Sequence, residues 1–170
     1  IVVFHPLGRE HIRRIVDIAP WVRSKAISAT QLVENCLHEI ASQQPVNAFT
    51  TVLEASALEE AREADAQIAS GGWRGPLHGV PVAIKDLIDV AGTRTTSGSA
   101  VPSVEARTDA PVVTRLREAG AIVIGKTNLH EFAYGTTSEN PHFGDVPNPR
   151  FPGRVAGGSS GGSAAALAAG

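Results

Sequence analysis

The succession of an apolar run, a helical stretch and a second apolar run in the middle of the chain constrains the fold more than any other feature. HGVPVAIKD, residues 78 to 86, is a short apolar run ending on a lysine; DAPVVTRLREAGAIVIGKTN covers residues 109 to 128. The first is read as a strand. In the second, Asp109 is placed to cap a helix, Gly120 to stop it, and Ala121 to Ile124 to form a buried strand. Two strands joined through a helix run parallel, because the crossover returns the chain to the same end of the sheet. Strands that are apolar without alternation are covered on both faces, so the class is α/β.

Two amphipathic helices precede that unit. In SATQLVENCLHEIASQ, Ser28 and Gln31 have the spacing of a capping box, and Leu32, Val33, Cys36, Leu37 and Ile40 share one face. In EASALEEAREADAQIASGG the shared stripe is Ala57, Ala61, Ala64 and Ile68, with Gly71 or Gly72 ending the helix. After the parallel unit, TNLHEFAYG reads as a short helix with Asn128 and Glu131 in capping positions. The proline-rich stretch 138 to 158 that follows is irregular, and loops of that length inside compact domains usually carry function.

With 170 residues the chain suffices for one domain with its own core. Residues 1 to 24 keep no single period and are read as a leader, leaving 25 to 170 as the domain. A net charge of -2 makes no electrostatic case for nucleic acid or an acidic membrane as partner. No apolar run approaches the ~20 residues of a membrane span, and the single cysteine, Cys36, has no disulfide partner within the chain. A cytoplasmic location is the expectation. The chain has no methionine, even at position 1, which points to a processed or truncated product.

Two places have the residue types of chemistry. Lys85 ends the first apolar strand, at the sheet edge where open α/β folds bind ligands. Desolvated there, its amine becomes a candidate base near neutral pH; the alternative is that it pairs with Asp86 or reaches solvent. The second place is AGGSSGGSAAALAAG, residues 156 to 170, a glycine-serine loop opening a helix. It admits three readings: a G-x-S-x-G nucleophile elbow with Ser160, a backbone cradle for an anion, or a capping loop without chemistry. His130, Glu131 and His142 are not spaced as metal ligands.

Three stretches, GVPVAIKDLIDVAGTRTTSGS, DAPVVTRLREAGAIVIGKTNLHEFAYGTTSENPHFG and NPRFPGRVAGGSSGGSAAALAAG, together resemble the amidase signature family from about Ser28 to Gly170. The resemblance implies the N-terminal part of that family's fold, with leading helices and then a mixed sheet flanked by helices. It implies hydrolysis of a small-molecule carboxamide by a Ser-Ser-Lys mechanism with no metal or organic cofactor. It places the base on Lys85 and the bridging serine on Ser159, after a cis peptide bond. Neutral lysine then takes a proton from the bridging serine, which takes one from the nucleophilic serine. In the family the nucleophile lies about two dozen residues further on, in a loop that also forms the oxyanion hole. Residues 1 to 170 alone are therefore expected not to hydrolyse amides and to expose apolar surface. Phe132, Tyr134 and residues 136 to 140 fall where the family lines its substrate pocket. Other subunits are partners if the parent resembles the A-type component of an amidotransferase. The rival expectation is a non-catalytic module that binds an anion or a protein partner. VVFHPLGREHIRRIVDI, residues 2 to 18, is similar to a stretch near the C-terminal end of AAA+ disaggregases of the ClpB type.

Overall fold

A computed structural model describes residues 14–42 and 46–169. The stretch similar to AAA+ disaggregases lies outside them up to residue 13. The elements are α1 (Ile15–Arg23), α2 (Ala29–Ser42), β1 (Phe49–Val52), α3 (Glu54–Ala69), β2 (Pro81–Lys85), α4 (Pro111–Glu118), β3 (Ile122–Thr127) and α5 (Gly161–Ala169), with a 3-10 turn at Glu131–Ala133 between β3 and α5.

Among the described residues the sheet has the order β1-β3-β2. β2 runs parallel to β3, as the helical crossover requires, and β1 is antiparallel on the other side, so the sheet is mixed. β3 is central and buried along its whole length. Alternate side chains on a strand point to opposite faces, and here each face has its own core. On one face Ala83, Ile122 and Ile124 pack under Ala29, Val33 and Cys36 of α2, the alanine stripe Ala57, Ala61 and Ala64 of α3, and Ala165 and Ala166 of α5. On the other, Val82, Ile84 and Val123 meet Val90 and Val113. Each buried Val, Leu or Ile removes enough apolar area from water to contribute roughly 1.5–3 kcal/mol.

Helix α2 opens with the reciprocal cap that its sequence anticipates: Gln31 N–H donates to Ser28 Oγ at 3.0 Å, and Ser28 N–H donates to Gln31 Oε1 at 2.9 Å. Asp65 of α3 adds its carboxylate to the same terminus, accepting from the N–H groups of Ala29 and Thr30 at 2.7 and 3.1 Å. That carboxylate satisfies two of the first-turn donors and joins the two helices. Gly71, at φ +89, follows the end of α3.

Four local features differ from the sequence reading. Asp109 does not cap α4. Ala110 occupies the cap and Pro111 the first turn, leaving Asp109 one residue too early; its carboxylate accepts from Ala91 N–H at 2.7 Å and pairs with Arg117 Nε at 3.1 Å. Asn128 does not open a helix either. It is buried and bridges segments, its amide donating to the carbonyls of Gly144 and Asn47 at 3.1 and 3.3 Å. The turn after it stops at once because Phe132 and Ala133 adopt positive φ, +51° and +56°, which no right-handed helix continues. Strand β1, FTTV, has no counterpart in the sequence reading: it is four residues long, graded rather than alternating in burial, and held by its pairing with β3. Residues 15 to 23, read as leader, form a helix whose Ile18 and Val22 are buried against Leu32, Ile68 and Val80.

Candidate active site at the carboxyl end of β2

Lys85 is the last residue of β2, half-buried where the parallel strands end. Its Nζ donates to Ser159 Oγ at 2.7 Å across 74 residues of chain. Burial pushes the amine below the ordinary lysine range, because the charged form loses hydration. Pairing with Asp86, the alternative reading of this lysine, does not occur; Asp86 is ion-paired to Lys126 instead, Oδ1 to Nζ at 2.9 Å.

Ser159 is delivered by the glycine loop ahead of α5. The Gly158–Ser159 peptide bond is cis. Ser159 O accepts from His130 N–H at 3.1 Å, fixing the backbone on the partner side. The loop is held from beneath by Ser138, whose hydroxyl donates to Gly157 O at 2.8 Å and accepts from Gly161 N–H at 2.9 Å. A Cβ on Gly158 would sit 2.8 Å from Ser138 Oγ, so the close approach requires glycine there. On the far side of the same helix turn, Ser163 Oγ lies 2.8 Å from Thr127 Oγ1, and Thr127 is the register partner of Lys85 across β2 and β3. The strand ladder and the helix start thus locate the lysine and the serine relative to one another.

These contacts decide among the three readings of the loop. The loop does not follow a strand, and Ser160 sits at the helix start with its side chain exposed and its carbonyl accepting from Ala164 N–H at 3.1 Å. The nucleophile-elbow geometry for Ser160 is therefore absent. The first helical N–H groups, which an anion cradle would aim outward, are bonded to Ser138 Oγ and Asn128 O. What remains is the capping loop, which sets the Ser159 hydroxyl against a partly dehydrated amine.

Around this pair, Glu131 Oε1 meets His142 Nε2 at 3.0 Å. A hydrogen bond from Ser99 holds the Glu131 carboxyl below its usual range, with smaller support from the nearby histidines. Among the described residues no three His, Cys, Asp or Glu side chains gather as metal ligands. Phe132 within the turn and Tyr134 just after it are exposed. Sequence reasoning passed over Lys126, took Asp86 only as a possible partner of Lys85, and placed Ser138 only within the pocket-lining residues 136 to 140. Ser138 left a faint signal as a polar residue in an irregular stretch, whereas Lys126 inside an otherwise apolar strand was the legible one. No helix among the described residues is long and apolar enough to cross a membrane.

Residues 31–170 match the family model described as Amidase. The chain is 42% identical over 155 residues to the A component of a glutamyl-tRNA(Gln) amidotransferase from Legionella pneumophila, covering 91% of this chain and 32% of that protein. It is 44% identical over 144 residues to an amidase of Pseudomonas putida, covering 84% of this chain and 30% of that one. The structure superposes on the peptide amidase of Stenotrophomonas maltophilia with a TM-score of 0.84 at 34% identity, covering 89% of this chain and 33% of that one. The chain spans about a third of the length of these relatives. A match that takes in both strands of the parallel pair, the Lys85 terminus and the glycine-serine loop means that the chain belongs to the amidase family, the amidase signature enzymes.

Proposed function

We propose that Lys85 is the general base and Ser159 the bridging serine of a Ser-Ser-Lys site that hydrolyses the C–N bond of a small-molecule carboxamide. The contact that carries this is Lys85 Nζ to Ser159 Oγ at 2.7 Å, made by an amine whose burial favours its neutral form. With the amine neutral, the proton on Ser159 Oγ moves to Lys85 Nζ along that contact. Ser159 is then free to take the proton of a nucleophilic serine as that serine attacks the amide carbon. Residues 1 to 170 supply base and relay; the nucleophile and oxyanion donors of the reading belong to sequence beyond Gly170. The shared chemistry covers both kinds of relative, free amidase and amidotransferase component, and a protein partner for this chain rests on the second name alone. A cytoplasmic setting, where thiols stay reduced, suits the buried thiol of Cys36, which forms no disulfide.

The test uses two polypeptides: residues 1 to 170, and a longer one that continues in frame through the downstream serine. The longer chain should turn over simple carboxamides and react with a fluorophosphonate probe. Lys85→Ala or Ser159→Ala should each cut kcat/KM by about 10²–10⁴-fold without loss of fold. The short chain should do neither. Stoichiometric labelling of Ser159 or Ser160 in the short chain, with turnover, would make that serine the nucleophile and end the relay reading.

A further inference from the structure

Asp86 and Lys126 are fully withdrawn from water, each with 0% exposure, and the proton relay uses neither. Stability alone does not account for them. Dehydrating two charges offsets most of their attraction, and apolar side chains of similar size serve a core as well or better.

Their contacts point elsewhere. Asp86 directly follows Lys85, and its Oδ2 accepts from Thr50 Oγ1 of β1 at 3.0 Å and from Thr96 Oγ1 at 2.6 Å. Its backbone N–H donates to Thr127 O of β3 at 3.1 Å, and its carbonyl accepts from Ser97 N–H at 2.8 Å. Lys126, one residue before Thr127, donates onward to Thr95 Oγ1 at 3.2 Å and Arg94 O at 3.4 Å. One carboxylate and one ammonium therefore join β1, β3 and residues 94–97 to the backbone that immediately follows Lys85. That same 94–97 segment reaches the other half of the site, since Phe132 N–H donates to Ser97 O at 2.7 Å, two residues after the His130 that holds Ser159.

We propose that the buried Asp86–Lys126 pair is the positioning element of this site: by clamping the residue after Lys85 to the adjacent strand β3, to β1 beyond it and to residues 94–97, it holds the Lys85 amine on Ser159 and away from bulk water. The proposal rests on reading Lys85 as the base. The other charged or titratable groups on the segments around the end of β2 are Asp89, Arg94, His130, Glu131 and the His142 paired with Glu131, and α5 carries none.

The chain has three lysines, Lys25, Lys85 and Lys126, and exposed Lys25 serves as an internal reference. Competitive acetylation with acetic anhydride across a pH series, read peptide by peptide by mass spectrometry, yields the titration midpoint of the Lys85 amine in the protein. The double variant Asp86→Asn/Lys126→Met removes both charges together, so neither is left unpaired inside. It should melt cooperatively while the Lys85 midpoint rises toward that of Lys25 by about one pH unit or more. A folded double variant whose Lys85 midpoint stays in place overturns the proposal. Should the double variant not fold, Thr96→Val decides: it keeps both charges, removes one donor to Asp86, and should raise the midpoint in the same direction. An unmoved midpoint in folded Thr96→Val overturns the proposal equally. Absence of Lys85-dependent carboxamide turnover in the longer unsubstituted polypeptide would instead remove the reading of Lys85 as base, a result independent of these midpoints.

Discussion

At the scale of single residues, burial acts on two titratable groups with different consequences. Lys85 is partly dehydrated beside a hydroxyl that accepts from it, so its depressed proton affinity prepares chemistry. His78 is almost fully buried with no chemistry at hand: its Nδ1 accepts from Arg74 N–H at 3.1 Å, its ring meets Trp73 at 5.6 Å, and its Nε2 has no hydrogen-bond partner among the described residues. Desolvation first, and the Arg74 charge second, lower its affinity for a proton below the usual 6.5. The unfolded chain therefore takes up that proton at a higher pH than the native state does. Stability owed to neutral His78 is complete above the ordinary histidine range and is lost as pH falls from there through the lowered native value. Thermal melts of wild type and His78→Gln between about pH 8 and 5 should show the wild type losing more melting temperature across that window. Parallel curves would show that His78 is not the linked group.

At the scale of elements, the contact between α5 and the sheet leaves no room for added volume. A Cβ on Gly162 would sit 2.5 Å from the carbonyl oxygens of both Ala48 and Asn128, which are backbone atoms and do not move aside. Alanine gains only ~1 kcal/mol over glycine in helix propensity, against an overpacking penalty of about 1–3 kcal/mol or more. Gly162→Ala should therefore lower stability and loosen the Ser163–Thr127 contact that seats the helix. Gly71→Ala is the control: φ is +89° but nothing lies within 4 Å, so the backbone strain of about 1–2 kcal/mol stands alone. Chemical denaturation of the two variants should rank Gly162→Ala as the less stable, and it alone should alter acetylation of Lys85. Equal losses with unchanged labelling would mean that α5 has room to retreat.

At the scale of the whole molecule, α1 closes the end of the structure away from Lys85. Ile18 and Val22 cover Leu32 of α2, Ile68 of α3 and Val80 just before β2, so one short helix seals the junction of three elements. Each apolar side chain uncovered there forfeits up to roughly 1.5–3 kcal/mol. Removing residues 1 to 24 should cost several degrees of melting temperature relative to removing residues 1 to 13 alone. Identical melts for the two truncations would make α1 dispensable and return the boundary to residue 24, where the sequence reading put it.

Local pattern was enough wherever neighbours in the chain supply the stabilising contacts. The reciprocal cap at Ser28 and Gln31, the alanine stripe of α3 and the parallel pairing implied by strand, helix and strand all follow from spacings of a few residues and from the rule that apolar faces are buried. Lys85 and Ser159 were named together through motif resemblance, and the structure places their side chains in contact. Tertiary structure alone decided the rest, because each remaining feature depends on a partner far along the chain. β1 is a strand only because β3 offers its edge, Asn128 bridges to Asn47 and Gly144, and Ser138 supports a loop some twenty residues later. Asp86 beside Lys85 looked like its natural ion partner. It became Lys126's because the register of β2 on β3 brings that ammonium to the carboxylate in the dry interior, where an uncompensated charge is far more costly than at the half-open end occupied by Lys85.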